Sequence, residues 1–398
     1  MSLVAQIPEI ELHSPSVRTV SVSARHEAWF EIREQDLPRW DGLLLGTDSW
    51  LYQYPFWNEP QRPLGIKPRY LAWGPAGRPQ AYVCILTIGF RPAKIGLVFR
   101  GPTCLQAGAE ISHSALAELM DWARAQGYMF IRFTHSDPEM LSHIASHGDA
   151  RDIDAFPYFQ DYPMQSPDFV VAQCDNEEET LAGFDREVRR KLRRAGEIGY
   201  EFRSDDSPEA LEKQWPLYRE CSRRKGFRLE RPLSVYMEML RQARPNNCAR
   251  VYSVHLNGKP VGSAVVVRDG NSAHCVLAAF TSDHKQSAAF LHWKSMRDMY
   301  RLGARNYNFG PGPGSLARFK QQFAAQRVPY PGPLTMVLNK NWFRVWWKAL
   351  FPVAKILRPA LVGAFSRVCL LTSSAAFHLQ SGRIRKSVHS HFFRKAEA

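Results

Sequence analysis

One order of elements, hairpin then strand then helix then strand, runs through this chain twice, with the copies about 175 residues apart. In the first copy Arg69 to Trp73 and Gln80 to Ile88 are apolar or alternating runs rich in β-formers, split by the turn signature Gly74-Pro75-Ala76-Gly77. Ile95 to Phe99 reads as a third strand. Ser112 to Gln126 puts Leu116, Leu119, Met120 and Ala123 at helical spacing, Gly127 ends it, and Tyr128 to Phe133 reads as a buried strand. In the second copy Ala249 to Leu256 and Val261 to Val267 flank Asn257-Gly258, a strong hairpin signal. Ala273 to Phe280 is the third strand, Ser287 to Leu302 the helix stopped by Gly303, and Arg305 to Phe309 the last strand.

A recurrence of this kind predicts an α/β chain of two tandem units, each a mixed β-sheet flanked by helices. At 398 residues the chain is too long for one ordinary core. The expected division is 20–165, 166–338 and a tail, 339–398. The join falls near 163–178, where Pro163, Pro167 and the acidic run Asp175 to Glu179 break the pattern. Between the copies lie a charged helix, Glu177 to Gly196, and two more, Pro208 to Arg224 and Leu233 to Ala243. After the second copy come Gly310-Pro311-Gly312-Pro313-Gly314 and a short helix, Ser315 to Phe323.

The seven cysteines include no Cys-x-x-Cys pair, which fits unpaired thiols in a reducing compartment and no metal site built on them. Met1 to Val20 is polar and does not read as a secretion signal. No run reaches the ~18 apolar residues that would cross a bilayer. A cytoplasmic location is expected. The net charge of +14 is uneven: residues 340–398 hold eleven Lys/Arg against one acid, Glu397, and so carry +10 of it.

Several further strings stand in order along the chain: Tyr52-Gln53-Tyr54-Pro55-Phe56-Trp57, Phe99-Arg100-Gly101-Pro102, Arg186 with Arg189-Arg190-Lys191-Leu192-Arg193-Arg194-Ala195, Arg224-Lys225-Gly226-Phe227 followed by Tyr236, Leu291-His292-Trp293, Gly303 to Gly310, and Phe319-Lys320 with Phe323. Together, from about residue 25 to 340, they resemble the Fem family of aminoacyl-tRNA-dependent peptidoglycan-bridge transferases. The resemblance implies two tandem GNAT-like units of the compact, armless kind and an N-acyltransferase activity. Two departures matter. The family's late strand usually ends in Asp, and here the position is Asn308. A coenzyme A-binding GNAT unit carries a glycine-bearing loop that cradles pyrophosphate before a helix. The matching stretch here, Asp283 to Ala289, has no glycine. No cofactor is therefore expected, and the resemblance implies an aminoacyl ester on tRNA as donor.

Making an amide from an ester and an amine needs a bound donor, a neutral amine and a stabilised oxyanion. The resemblance gives Lys320, with Phe319, the oxyanion role. The other reading of Lys320 is a surface lysine on an amphipathic helix. Arg224, Phe227, Tyr236 and Asn308 are candidates for holding the acceptor, since a guanidinium fork suits phosphate and carboxylate. The alternatives are a solvated helix end and a core tyrosine. Gly310, Gly312 and Gly314 allow close backbone approach to a ligand, and equally read as part of a rigid connector. Arg189, Arg190, Lys191, Arg193 and Arg194 suit an RNA backbone, or a solvated basic helix. Asp137, Asp161 and Glu220 are acids that nothing in the sequence places in a site.

In the tail, Lys340, Arg344, Lys348, Lys355 and Arg358 fall within an arc of roughly 80° at about 100° per residue. Trp342, Phe343, Trp346 and Trp347 lie among mostly apolar neighbours. A Trp-rich apolar face with a narrow cationic stripe reads as a helix lying in an anionic membrane surface, with Trp342, Arg344, Trp346, Trp347 and Lys348 as contacts. Packing on the body is the alternative. A place on the inner face of the cell membrane would suit a lipid-linked acceptor. The leading expectation is aminoacyl transfer from tRNA to an amine of a cell-wall precursor peptide or similar acceptor. Two others stay open: an N-acyltransferase using acyl-CoA or an acyl carrier protein, and a non-catalytic double-GNAT binding protein.

Overall fold

In the computed structural model the described residues are 28–350, less the short stretches 76–77, 90–92, 107–108, 153–166 and 330–332 and residues 136, 228, 230 and 313. Their strands are β1 (Ala28–Glu31), β2 (Lys67–Gly74), β3 (Ala81–Ile88), β4 (Ile95–Phe99), β5 (Thr103–Cys104), β6 (Phe130–Thr134), β7 (Asp149–Asp152), β8 (Asp168–Ala172), β9 (Glu201–Asp205), β10 (Ala249–Leu256), β11 (Lys259–Arg268), β12 (Ser272–Phe280), β13 (Asn306–Pro311), β14 (Gln326–Val328) and β15 (Leu334–Val337). One sheet runs β1-β2-β3-β4-β6-β15-β7, with β5 paired to β3; the other runs β14-β8-β13-β12-β11-β10-β9. Both are mixed. In each, three antiparallel strands lead into a crossover helix and a parallel partner, as the doubled order predicts.

The helices are α1 (Leu37–Leu44), α2 (Pro55–Asn58), α3 (His113–Ala125), α4 (Pro138–Ala145), α5 (Glu177–Ala182), α6 (Arg186–Ile198), α7 (Pro208–Lys225), α8 (Leu233–Ala243), α9 (Ser287–Arg301), α10 (Gly314–Gln321) and α11 (Lys340–Val345). Ser112 starts α3 by accepting from the Ala115 N–H, a side-chain cap of the usual kind. Asn257 and Gly258 both take positive φ, as a tight two-residue hairpin turn requires.

Two expectations change. The single charged helix expected over 177–196 is two, α5 and α6. Gly183, Phe184 and Asp185 break it because the Phe184 ring turns inward to pack on Trp293 and Phe323. The stretch after α10 also divides. β14 closes the second sheet, whereas β15 enters the first between β6 and β7, so the second unit's chain returns to finish its neighbour's sheet. Of the tail, residues 351–398, with Lys355 and Arg358, lie outside the described residues.

The two units share a core. One apolar cluster joins Tyr54, Phe56 and Tyr82 of the first unit to Leu211, Tyr236, Met239 and Val265 of the second. At the seam the Gly270 backbone lies so close to Thr47 that a Cβ there would sit 2.2 Å from the Thr47 carbonyl oxygen. The Tyr54 hydroxyl accepts from the Gly270 N–H, and the Asp269 carboxylate accepts from the Leu51 N–H.

Candidate active site

The parallel strand pairs of the two sheets differ in one respect that locates the site. In the first sheet β4 stays paired with β6 along its whole length, Ile95 opposite Phe130 through Phe99 opposite Thr134. In the second, β12 pairs with β13 only from Ser272 opposite Asn306 to His274 opposite Asn308. From Cys275 onward β12 is without β13, and the ladder between them is left with a slot-like gap. The residues that follow on β12, Cys275 to Ala278, are half-buried.

Lys320 on α10 sits at this slot. It is 3% exposed, and its Nζ donates to the carbonyls of Gly310 (2.8 Å) and Pro311 (2.7 Å). An ammonium has three N–H donors, and among the described residues two of them have hydrogen-bond acceptors, with the Phe169 ring 5.7 Å from Nζ. Burial pulls its pKa down to about 8, against the opposing pull of Cys275 and of the Asp168 carboxylate. The glycines serve this contact: a Cβ on Gly312 would lie 2.7 Å from the Leu316 side chain and 3.1 Å from Lys320 Nζ, and Gly310 takes φ +68°. Gly314, at the start of α10, takes φ +56°. Phe319 packs half-buried against His292, Phe309 and Phe323. Below the slot His292 is held down to about 3 by burial and by the Lys320 charge, so it is neutral at working pH. Its Nδ1 lies 3.0 Å from the Tyr307 hydroxyl. Burial pushes the Cys275 thiol up to about 11, which keeps it protonated.

Asn308 ends the part of β13 that pairs with β12 and is buried. Its amide nitrogen donates to Asp168 (2.7 Å) and approaches His274 Nδ1 at 3.3 Å, while its oxygen accepts from the Gly310 N–H at 2.7 Å. With Nδ1 as acceptor, His274 donates from Nε2 to Asp269 at 2.6 Å. The reason for Asn in place of Asp is visible here. The carboxylate is supplied by Asp168 on neighbouring β8, and a second carboxylate at 308 would face it without a proton between them. The first unit reaches the same network through Arg100, whose guanidinium lies 3.7 Å from Asp168 and 3.2 Å above the Trp50 ring. Trp50 in turn meets His274 edge-on at 4.7 Å.

Asp168, His274, Asp269 and Trp50 were not legible as site residues. Asp168 follows Pro167 at the join of the two units, and only strand pairing brings it beside Asn308. Arg100 lies within a string that pointed to the family, without a role attached. The acids weighed from sequence fall elsewhere: Asp137 caps α4, Glu220 pairs with Arg224 on the surface, and Asp161 lies outside the described residues.

Arg224, at the last turn of α7, donates to the Phe280 carbonyl at the far end of β12 and pairs with Glu220 at 3.4 Å. Phe227 follows the left-handed Gly226 and is 40% exposed. Tyr236 is 1% exposed, in the shared core against Trp215. On α6, Val188 and Ala195 are buried and Arg189, Arg190, Arg193 and Arg194 are exposed, with Lys191 half-buried. At about 100° per residue these four and Arg186 span about 140° opposite the buried face. Glu187 pairs with Arg190 and Lys191. Arg186, Arg189, Arg193 and Arg194 have no carboxylate partner among the described residues. At the tail's start, Phe343 is buried against Phe130, and Trp346 packs beside them. Trp342, Arg344, Trp347 and Lys348 face outward. Among the described residues no helix is long and apolar enough to cross a membrane, and no metal-ligating cluster lies at the slot.

Residues 182–321 match the family model described as acetyltransferase (GNAT) domain. This segment holds α6, the slot and Lys320. No curated protein sequence matches the chain. Among solved structures, FemX is similar with a TM-score of 0.67 at 16% identity, over 80% of this chain and 99% of that one. The structure of L-PGS from Bacillus licheniformis is similar with a TM-score of 0.52 at 16% identity, over 84% of this chain and 98% of that one. The C-terminal domain of a putative lysylphosphatidylglycerol synthetase from Agrobacterium fabrum gives 0.51 at 16% identity, over 78% and 96%. The resemblance to the Fem family thus holds in the fold: the chain is built like FemX, and its second unit carries the match to a GNAT domain.

Proposed function

We propose that the chain is an N-acyltransferase that moves an aminoacyl group from tRNA to an amine of a cell-wall precursor peptide or a similar acceptor. The observation that carries this reading is the Lys320 ammonium. It is buried where β12 and β13 part, with two donors tied to backbone carbonyls and, among the described residues, a third without an acceptor. The acceptor amine attacks the ester carbonyl, and the developing oxyanion meets a positive charge held in a low-dielectric site. The C–O bond to the tRNA ribose breaks, and the proton lost by the amine ends on the departing ribose oxygen. Asn308, Asp168 and His274 hold the strand end and the Gly310 carbonyl that position Lys320.

Two features favour tRNA over coenzyme A as donor. The turn before α9 has no glycine, and the Ser287 N–H and hydroxyl are both directed to the His284 carbonyl rather than outward to a phosphate. Across the second unit, α6 displays its arginines to solvent, as an RNA backbone requires. Arg224 and Phe227 flank the acceptor's approach in this reading. Trp342 and Trp347 rest on an anionic membrane surface, on whose inner face a lipid-linked acceptor is presented.

The test is incubation of purified protein with total tRNA charged with a labelled amino-acid mixture, lipid-linked precursors and membranes. Label is expected in the acceptor fraction, and RNase pretreatment is expected to abolish it. Transfer from labelled acyl-CoA in a parallel tube, with none from tRNA, would overturn the reading.

A further inference from the structure

On the outer face of the first unit three histidines converge from two helices. His113 is the first residue of α3. His143 lies in the last turn of α4, and His147 follows four residues later, just past the helix end, where its N–H still donates to the Ile144 carbonyl. Residues four apart on a helical path share one face, so both imidazoles of this pair turn toward α3. His113 Nδ1 and His147 Nε2 are 3.2 Å apart, and the His113 and His143 ring centroids are 3.9 Å apart. One nitrogen from each of the three lies within 4.8 Å of the others.

We propose that His113, His143 and His147 form a binding site for a divalent transition metal of the zinc class. Two nitrogens at 2.0–2.1 Å from one tetrahedral ion are about 3.3 Å apart, which the pair of His113 and His147 already matches. The third nitrogen must close in by about 1.5 Å from the 4.8 Å limit, a distance that side-chain rotation covers. A hydrogen bond alone accounts for His113 and His147 but not for His143. Its Nε2 is buried and has no hydrogen-bond partner among the described residues, and a buried polar atom of this kind is uncommon without a reason. A metal ion supplies the missing partner. The Glu110 carboxylate acts electrostatically on His143 and offers countercharge.

Three imidazoles leave a fourth position for water or an outside ligand, as in open zinc sites. The ion would tie the start of α3 to the end of α4. Both helices cover the first sheet through Ala115, Leu116, Leu119, Leu141 and Ile144. The site is separate from the slot at Lys320 and independent of the transfer reading. Sequence alone did not reveal it, because His113 lies 30 and 34 residues from its partners and only the packing of two helices joins them.

The experiment is titration of untagged, chelator-stripped full-length protein with Co2+, followed by visible absorption, then with Zn2+ in competition. One equivalent per chain is expected, with a tetrahedral cobalt spectrum displaced by zinc. His147→Gln and, separately, His113→Asn at its exposed helix start are each expected to weaken binding about 10-fold or more. Zinc is expected to raise the Tm of the wild type but not of the His143→Gln/His147→Gln double variant. The proposal is overturned if the wild type shows no stoichiometric cobalt spectrum, or if the folded variants bind as the wild type does.

Discussion

Lys320 has two consequences that can be measured separately. Its folded pKa of about 8 lies below the ordinary lysine value of about 10.4. In the proposed reaction the ammonium available to the oxyanion therefore declines as pH rises through about 8, and the rate of the chemical step should turn down there. Replacing Lys320 by Gln should remove that downturn. The same shift acts on stability with a definite sign. Between pH 8 and 10.4 the unfolded chain binds more protons, so this residue's contribution to stability grows with pH, and the cost of its buried charge is complete below 8. Asp41 runs the other way. Burial raises its carboxyl to about 8, although the Phe56 N–H donates to it. From about pH 4 to 8 the folded chain holds the extra proton, so stability falls as pH rises. Asp41→Asn should raise stability by about 1 kcal/mol or more at pH 8 and leave it unchanged at pH 4, read from thermal melts at both values. A melt insensitive to the substitution at pH 8 would refute the assignment.

Among the elements, α6 offers the sharpest prediction. If its outward arginines neutralise phosphates, Arg189→Gln and Arg193→Gln should each weaken tRNA binding and lower the salt slope by about 1. Filter binding over a salt series reads this, and an unchanged slope would remove α6 from the RNA path. Elements were also the scale at which the sequence was most legible. β4, β10 and α8 fall on the residues that pattern indicates, because their apolar periods and turn residues are local signals. β8, β9, β14 and β15 were not recognised. They are short and gain their identity from partners far along the chain, as when Leu334–Val337 pairs with strands on both sides. The candidate site was half legible for the same reason. Lys320, Phe319 and Asn308 lie in strings that resemble the family, whereas Asp168, His274 and Trp50 become neighbours only through tertiary pairing.

For the whole molecule, the shared core makes the two units one cooperative body. At Gly270 in the seam an added methyl would meet the Thr47 carbonyl. Gly270→Ala should therefore destabilise the entire chain by about 2 kcal/mol or more, and calorimetry should show one transition in the wild type. Two independent transitions, or an unchanged Tm in the variant, would contradict this. The seam also carries the chain from Arg100 and Trp50 through Asp168, Asn308 and His274 to Gly310, whose carbonyl holds Lys320. In the proposed reaction, chemistry happens at that lysine on an aminoacyl ester. The most direct measurement is single-turnover transfer from labelled aminoacyl-tRNA by wild type and Lys320→Gln, with tRNA affinity measured alongside. We expect the rate to fall by about 100-fold or more, with affinity changed less than about 3-fold. A variant that transfers at the wild-type rate would remove Lys320 from the chemistry.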